Sequence, residues 1–244
     1  MSLLTPAVLA VYHVVSALAA VLVPLLGGFG PAVAIVVFTA AVRLSLYPLN
    51  RAQMRAQAAS RQARAALAPA LAKLGRRYKH DPQRLQRETL DLYRANGVSL
   101  APGILHGLVQ APIFLVVYRM FESPSISGHR NTLLSSHLFG VGLGSHLTDV
   151  LRSPLSVGHI AVFAALLLAI AAIATWSSIR MRKTAAADAE NQNAALTRIM
   201  ALLPFGSLIT AAILPLATGL YLATTTLWTV VERRHLQQLT TGDS

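Results

Sequence analysis

A guanidinium lies inside an apolar run. The stretch from Gly30 to Leu49, wound as a helix at about 1.5 Å per residue, matches the roughly 30 Å hydrocarbon core of a bilayer, and it carries Arg43. An arginine at membrane depth costs about 2.5 to 3.5 kcal/mol on insertion scales, so its presence calls for a physical reason. Two reasons are open. Leu49 is only six residues further on, roughly 9 Å of helix, so the Arg43 stem could carry its charge to the nearer interface. Alternatively Arg43 faces a polar, water-filled cavity between helices, the usual setting of an intramembrane charge with a task. Such a group is always protonated and only donates hydrogen bonds, so its chemistry is attraction of an anion or carboxylate, not proton transfer or nucleophilic attack.

Other chemistry is missing. The chain has no cysteine, which excludes disulfides, thiolate catalysis and cysteine metal sites. It lacks the phosphate-cradling G-x-x-x-x-G-K-[S/T], the zinc-binding H-E-x-x-H and the nucleophile elbow G-x-S-x-G. Its nine acids include no pair within an apolar run. His129, His137, His146 and His159 follow one another at spacings of eight, nine and thirteen, which fit no metal-ligand pattern and read as surface residues. No catalytic, metal or cofactor set is expected. The chain moves or holds something without covalent chemistry.

The elements that must position Arg43 are helices in a membrane. Of 244 residues, 54% are hydrophobic and 12% charged, with a mean hydropathy of +0.54. The net charge of +12 could suggest nucleic acid, but its location decides otherwise. Residues 50–99 hold eleven Lys and Arg against three acids, a net +8 in one loop between apolar segments. That is the signature of a cytoplasmic loop and needs no nucleic acid. Within it Leu67, Leu71, Leu74 and Tyr78 recur at i, i+4, i+7 and i+11, one stripe of an amphipathic helix. Asp81-Pro82 then starts a second helix that runs to Asn96-Gly97, forming an antiparallel hairpin.

The apolar stretch 3–26 has no basic residue before it, so it does not read as a secretory signal; it either spans or lies in an interface. Gly27-Gly28-Phe29-Gly30-Pro31 breaks it from the next helix. Residues 100–121 form a further span, with Pro102, His106, Gln110 and Pro112 inside it; Gln110 is interhelical glue or a second wall of the Arg43 cavity. Residues 122–157 sum to zero charge, as in an outer loop. Residues 158–180 span again, with Trp176 as interfacial anchor before Arg180-Met181-Arg182-Lys183. A cytoplasmic loop at 181–198 and basic residues Arg233 and Arg234 require a hairpin over 199–232, broken at Leu214-Pro215, with two short arms of about 24 Å each.

These residues resemble a known family. Val42-Arg43-Leu44-Ser45-Leu46-Tyr47-Pro48-Leu49, the run from Ala66 through Pro69 and Leu74 to Lys79, Glu88 to Val98 with Tyr93 and Gly97, Leu108-Val109-Gln110-Ala111-Pro112-Ile113-Phe114 with Tyr118, and Pro215-Leu216-Ala217-Thr218-Gly219-Leu220-Tyr221 are similar, in order and spacing, to the YidC/Oxa1/Alb3 membrane protein insertases. Departures from the family pattern fall at Ser99-Leu100 with Pro102, at Ile104-Leu105-His106 and at Leu222. The resemblance implies an all-α integral membrane protein: an N-terminal interfacial helix (1–29), five transmembrane helices (30–50, 100–121, 158–180 and two within 199–232) around a polar groove, a cytoplasmic helical hairpin (51–99) and a cytoplasmic tail (233–244). It implies a short Gram-positive or actinobacterial form in the bacterial cell membrane, N-terminus outside and C-terminus cytoplasmic. By resemblance Arg43 is the groove arginine, with Thr39, Gln110 and Tyr221 lining the substrate path. The implied partners are nascent membrane proteins as substrates, with the Sec translocon, the ribosome and the signal recognition particle pathway beside the lipid bilayer. A small secondary transporter or anion channel using Arg43 as a solute site is the alternative; no inverted repeat of broken spans supports it.

Overall fold

The computed structural model describes residues 4–98, 104–152, 157–187 and 201–241. Helix α1 (Thr5–Leu26) ends where Gly27 takes a positive φ of 57° and its N–H donates to the Val23 carbonyl. One 3-10 turn (Gly27–Phe29) leads into α2 (Gly30–Ser45), and α1 folds back on α2, burying Val15 and Ala19. The corner is tight at Gly30, where a Cβ would meet the Val23 backbone nitrogen at 2.8 Å.

α2 is shorter than the apolar run that suggested it. Its 16 residues span about 24 Å, and it stops at Ser45 because Pro48, with no N–H, cannot bond back to the preceding turn. Arg43 therefore sits in the last turn of α2 rather than in mid-span. The chain restarts at once as α3 (Tyr47–Arg77), whose stripe Leu67, Leu71, Leu74 and Tyr78 is half-buried. α4 (Pro82–Ala95) is capped by Asp81, whose Oδ1 accepts from the Arg84 N–H at 3.0 Å, and it packs on α3 with Arg64 stacked over Tyr93 at 5.7 Å.

After α5 (Ile104–Glu122) comes a cap rather than an irregular loop. Its two antiparallel hairpins are the non-helical part of a chain expected to be all-α: β1 (Ser125–Ile126) with β2 (His129–Arg130), and β3 (His137–Leu138) with β4 (Val141–Gly142). Each turns through two residues of positive φ, Ser127-Gly128 and Phe139-Gly140, the geometry that matches strand twist. Between them α6 (Thr132–Ser135) begins at Asn131, whose buried Nδ2 donates to the carbonyls of Met120 at 2.7 Å and Ser123 at 3.1 Å. α7 (Leu147–Arg152) completes the cap. The cap touches α1 through the Tyr12 and Thr132 hydroxyls, 3.2 Å apart, and the 3-10 turn after α1 through an edge-on contact of Phe139 with Phe29 at 4.9 Å.

α8 (Val157–Ala187) is followed by a 3-10 turn (Leu203–Phe205), α9 (Gly206–Ile213) and α10 (Leu216–Thr241). The break falls at Leu214, whose ψ of 164° is extended before Pro215. The second arm continues past the basic residues at which the expected arm of about 24 Å ends. α10 alone runs 26 residues, about 39 Å, because nothing between Glu232 and Thr241 breaks a helix. Its continuation brings the Arg234 guanidinium over the Trp176 ring at 4.3 Å, with Arg180 over the same ring at 5.1 Å. The cap holds the other end: the Leu216 and Ala217 N–H groups, orphaned by the helix start, donate to the carbonyls of Ser145 at 3.0 Å and Leu143 at 2.9 Å.

One buried cluster joins α1, α2, α5, the cap, α8 and α10 through residues such as Val15, Ile35, Met120, Phe121, Leu143, Phe163, Ile170 and Leu216. The outside is also apolar. Leu25, Leu168, Ile209, Ile213 and Val231 are exposed, an exterior suited to lipid rather than water. Among the described residues, Thr5–Ser45 and Val157–Arg182 are long and apolar enough to cross a membrane.

Two outcomes follow. Gly30→Ala forces backbone against backbone and should lower the thermal midpoint in detergent by the equivalent of about 1 to 3 kcal/mol, whereas Gly28→Ala, with nothing within 4 Å, should not. Just before α7 the His146 backbone N–H donates to Asp149 Oδ2 at 3.0 Å, and this bond first of all holds the Asp149 carboxyl below the usual carboxylate range. Since the folded state has the lower value, the bond contributes above the ordinary range and is lost as pH falls through the folded value. Asp149→Ala should therefore speed hydrogen exchange of the α7 amides at pH 7, with wild type and variant converging in acid.

Candidate functional site

Arg43 is drawn inward by the face it occupies. Ile35, Thr39 and Arg43 are spaced by four residues on α2 and are all buried, with Arg43 only 4% exposed. Its place in the last turn of α2 sets the positive group at the negative end of the helix dipole, which offsets part of its desolvation. Among the described residues no carboxylate closes on it as an ion pair. The carboxylate that acts on it across the cavity is Glu232 of α10.

Next to Arg43, where α2 gives way to α3 at Leu46, lies a partly open cavity of about 40 Å³, enough for roughly three waters. Arg43, Asn50, Gln53 and Gln57 line one wall; Thr229, Glu232 and Arg233 line the other. The amides at 50, 53 and 57 recur at i, i+3 and i+7, one uncharged stripe on an arginine-rich helix. Asn50 Nδ2 donates to both Glu232 oxygens, at 3.1 and 3.2 Å, and both residues are buried.

α10 supplies the wall that continues upward. Thr218, Tyr221, Thr225, Thr229 and Glu232 fall within about 80° of one helix face, a polar stripe about 21 Å long from the cap to the cavity. The Thr218 and Thr225 hydroxyls are buried with no hydrogen-bond partner among the described residues, as is the Trp228 indole N–H.

The residues picked out from sequence fall as follows. Arg43 lines the cavity. Thr39 is buried one turn from it with its hydroxyl donating to the Ile35 carbonyl at 2.7 Å, inside its own helix, and it does not line the cavity. Tyr221 is buried, its ring 6.4 Å from Phe114 of α5, and Leu222 is buried beside it. The Gln110 and His106 side chains, and residues 99–103, lie outside the described residues. Sequence reasoning missed Glu232, Asn50 and the threonine stripe. The signals were there: Glu232 is the sole acid between Asn191 and Gly242, and the stripe repeats with helical period.

No group of three metal-binding side chains forms among the described residues. What the arrangement offers is a buried guanidinium with no ion pair among the described residues, side-chain amides and hydroxyls within an apolar exterior, a site for holding a polar or anionic segment.

A helical membrane protein built around such a cationic, partly open cavity is a narrow class. The chain belongs to the 60Kd inner membrane protein family (YidC/Oxa1/Alb3), whose sequence pattern matches residues 21–242. It is similar to the membrane protein insertase YidC of Granulibacter bethesdensis, 42% identical over 96 residues, covering 39% of this chain and 16% of that protein. Similar proteins of the same name occur in Clostridium perfringens, 37% identical over 94 residues (38% of each chain), and Oceanobacillus iheyensis, 37% over 107 residues (42% of this chain, 40% of that one). These matches span less than half the length of each relative.

The Asn50–Glu232 contact generates a stability cycle. Asn50→Leu should leave a buried carboxylate without its amide donor and cost about 1 to 3 kcal/mol, read as a lower melting temperature in detergent. In a Glu232→Leu background the same change should cost much less, because both polar partners are then gone.

Proposed function

We propose that this chain is a membrane protein insertase, taking nascent hydrophobic segments with short polar flanks from the cytoplasmic side and releasing them into the bilayer. The observation that carries the reading is Arg43, buried at the head of a partly open polar cavity with no ion pair among the described residues. A client's acidic flank entering the cavity meets the guanidinium and the amides of α3, which offset its desolvation. The attached apolar segment partitions against the exposed apolar faces into lipid, and its burial, at about 25 cal/mol per Å², drives release without fuel. α2, at about 24 Å, is shorter than the ~30 Å hydrocarbon core, which favours local thinning and a lower barrier for the flank.

The topology proposed with this function is five crossings, cap outside and hairpin inside. In support, the cap is touched both by Tyr12 and by Phe29 in the turn after α1, although Tyr12 lies about 21 Å of helix from the end of α1, which fits α1 running along the cap layer as an interfacial helix. Gln110 is proposed as a second groove wall, and the basic hairpin as the element that meets the ribosome, the signal recognition particle pathway, the Sec channel or anionic headgroups.

Exchange of Arg43 tests the reading. Lysine should retain much of the insertion, leucine should lower insertion of clients with acidic flanks roughly tenfold, the equivalent of about 1.4 kcal/mol, and glutamate should be worst, by like-charge repulsion. The measurement is protease protection of the client flank in membranes holding equal amounts of each variant. Equal insertion of acidic, neutral and basic clients by all four proteins would remove Arg43 as the attraction point and favour a solute-binding transporter or channel.

A further inference from the structure

The cavity below Arg43 is not simply cationic. Its lining places one carboxylate, Glu232, among two guanidinium groups, Arg43 and Arg233. Glu232 is 8% exposed, and both of its oxygens accept from the Asn50 amide at 3.1 and 3.2 Å, so its position is held from α3 across the cavity. A buried carboxylate is costly, and an amide of a neighbouring helix satisfies only part of its bonding capacity. Arg43, on the same wall as Asn50, feels its charge without closing an ion pair. Both groups thus keep capacity for a third partner, and anything entering the cavity meets a positive and a negative group on facing walls.

We propose that Glu232, held by Asn50, is the specificity-determining residue of this cavity: it competes with an acidic client flank for Arg43 and offers a basic flank a partner. The inference rests on the insertase reading and deepens it. Arg43 alone would make the site select carboxylates and repel lysine. With Glu232 opposite, an acidic flank must enter against a fixed like charge, while a lysine or arginine flank pairs with Glu232 and is shielded from Arg43. The selectivity of the site is then the difference between two opposed charges, and the acid sets how broad the range of clients is. Asn50 is a positioning residue, since it acts only through the carboxylate.

The test uses three clients that differ only in whether the translocated flank carries Asp, Ser or Lys, inserted into membranes containing the full-length protein and scored by protease protection. Glu232→Gln keeps the shape and still accepts from Asn50, so it should fold. It should raise the ratio of Asp-flank to Lys-flank insertion about fivefold, a range set by charge pairs that remain partly hydrated. Glu232→Asp, which keeps the charge, should hold the ratio near that of the wild type. A merely bracing role for Glu232 would lower all clients together and leave the ratio unmoved, as would a misfolded variant, and either result overturns the proposal. So does a ratio that moves as far in Glu232→Asp as in Glu232→Gln. If the wild type fails to insert even the Ser-flank client, the insertase reading itself falls and this inference with it; if that client inserts and the ratio stays flat, only the role of Glu232 is lost.

Discussion

The structure depends on keeping one guanidinium charged inside an apolar bundle. A buried arginine does not neutralise, so the protein must supply polar surroundings for it by other means. It uses three at once: the negative end of α2, the carboxylate of Glu232 on α10, and a partly open polar cavity beneath. Each demands something of the fold. α2 must end just past Arg43, which Pro48 ensures; α10 must turn its hydroxyl face inward; and α3 must start beside the site so that a cavity remains.

The cap answers the opposite requirement, that the polar interior be closed at one end. It spends its backbone on the first turn of α10, through Ser145 and Leu143, and pins itself to α5 through Asn131. Thr218, the top of the polar stripe, is fully buried under that contact, while Glu232 at the bottom reaches the open cavity. The gradient from sealed to open runs along a single helix.

Much of this was legible in the sequence, for identifiable reasons. Arg43 was visible because charge in an apolar run is rare, and the start of α4 because Asp81-Pro82 is a local signal that owes nothing to the rest of the fold. The break at Leu214-Pro215 was legible for the same reason. The length of α10 was not, because span counting stops at charges whereas a helix stops at a breaker, and Glu232-Arg233-Arg234 are charges on a helix that continues. The cap hairpins were missed because strands of two residues carry no periodicity, and their turns, Ser-Gly and Phe-Gly, depend on φ rather than on a strong pair signal. Glu232 and Asn50 lie 182 positions apart and meet only in the folded chain, so no local spacing could join them.

The elbow at Leu46 also sets a mechanical ratio. α3 is 31 residues, about 46 Å, and it pivots one residue after α2 ends. A tilt of one degree there carries the far end at Arg77 through about 0.8 Å, yet moves Asn50, one turn from the pivot, by only about 0.1 Å. The helix is a lever with a long arm in the basic hairpin and a very short one in the cavity. A displacement of about 1 Å at the hairpin tip would reach Asn50 as only about 0.1 Å, so small motions of the protruding arm leave the Asn50–Glu232 contact in place.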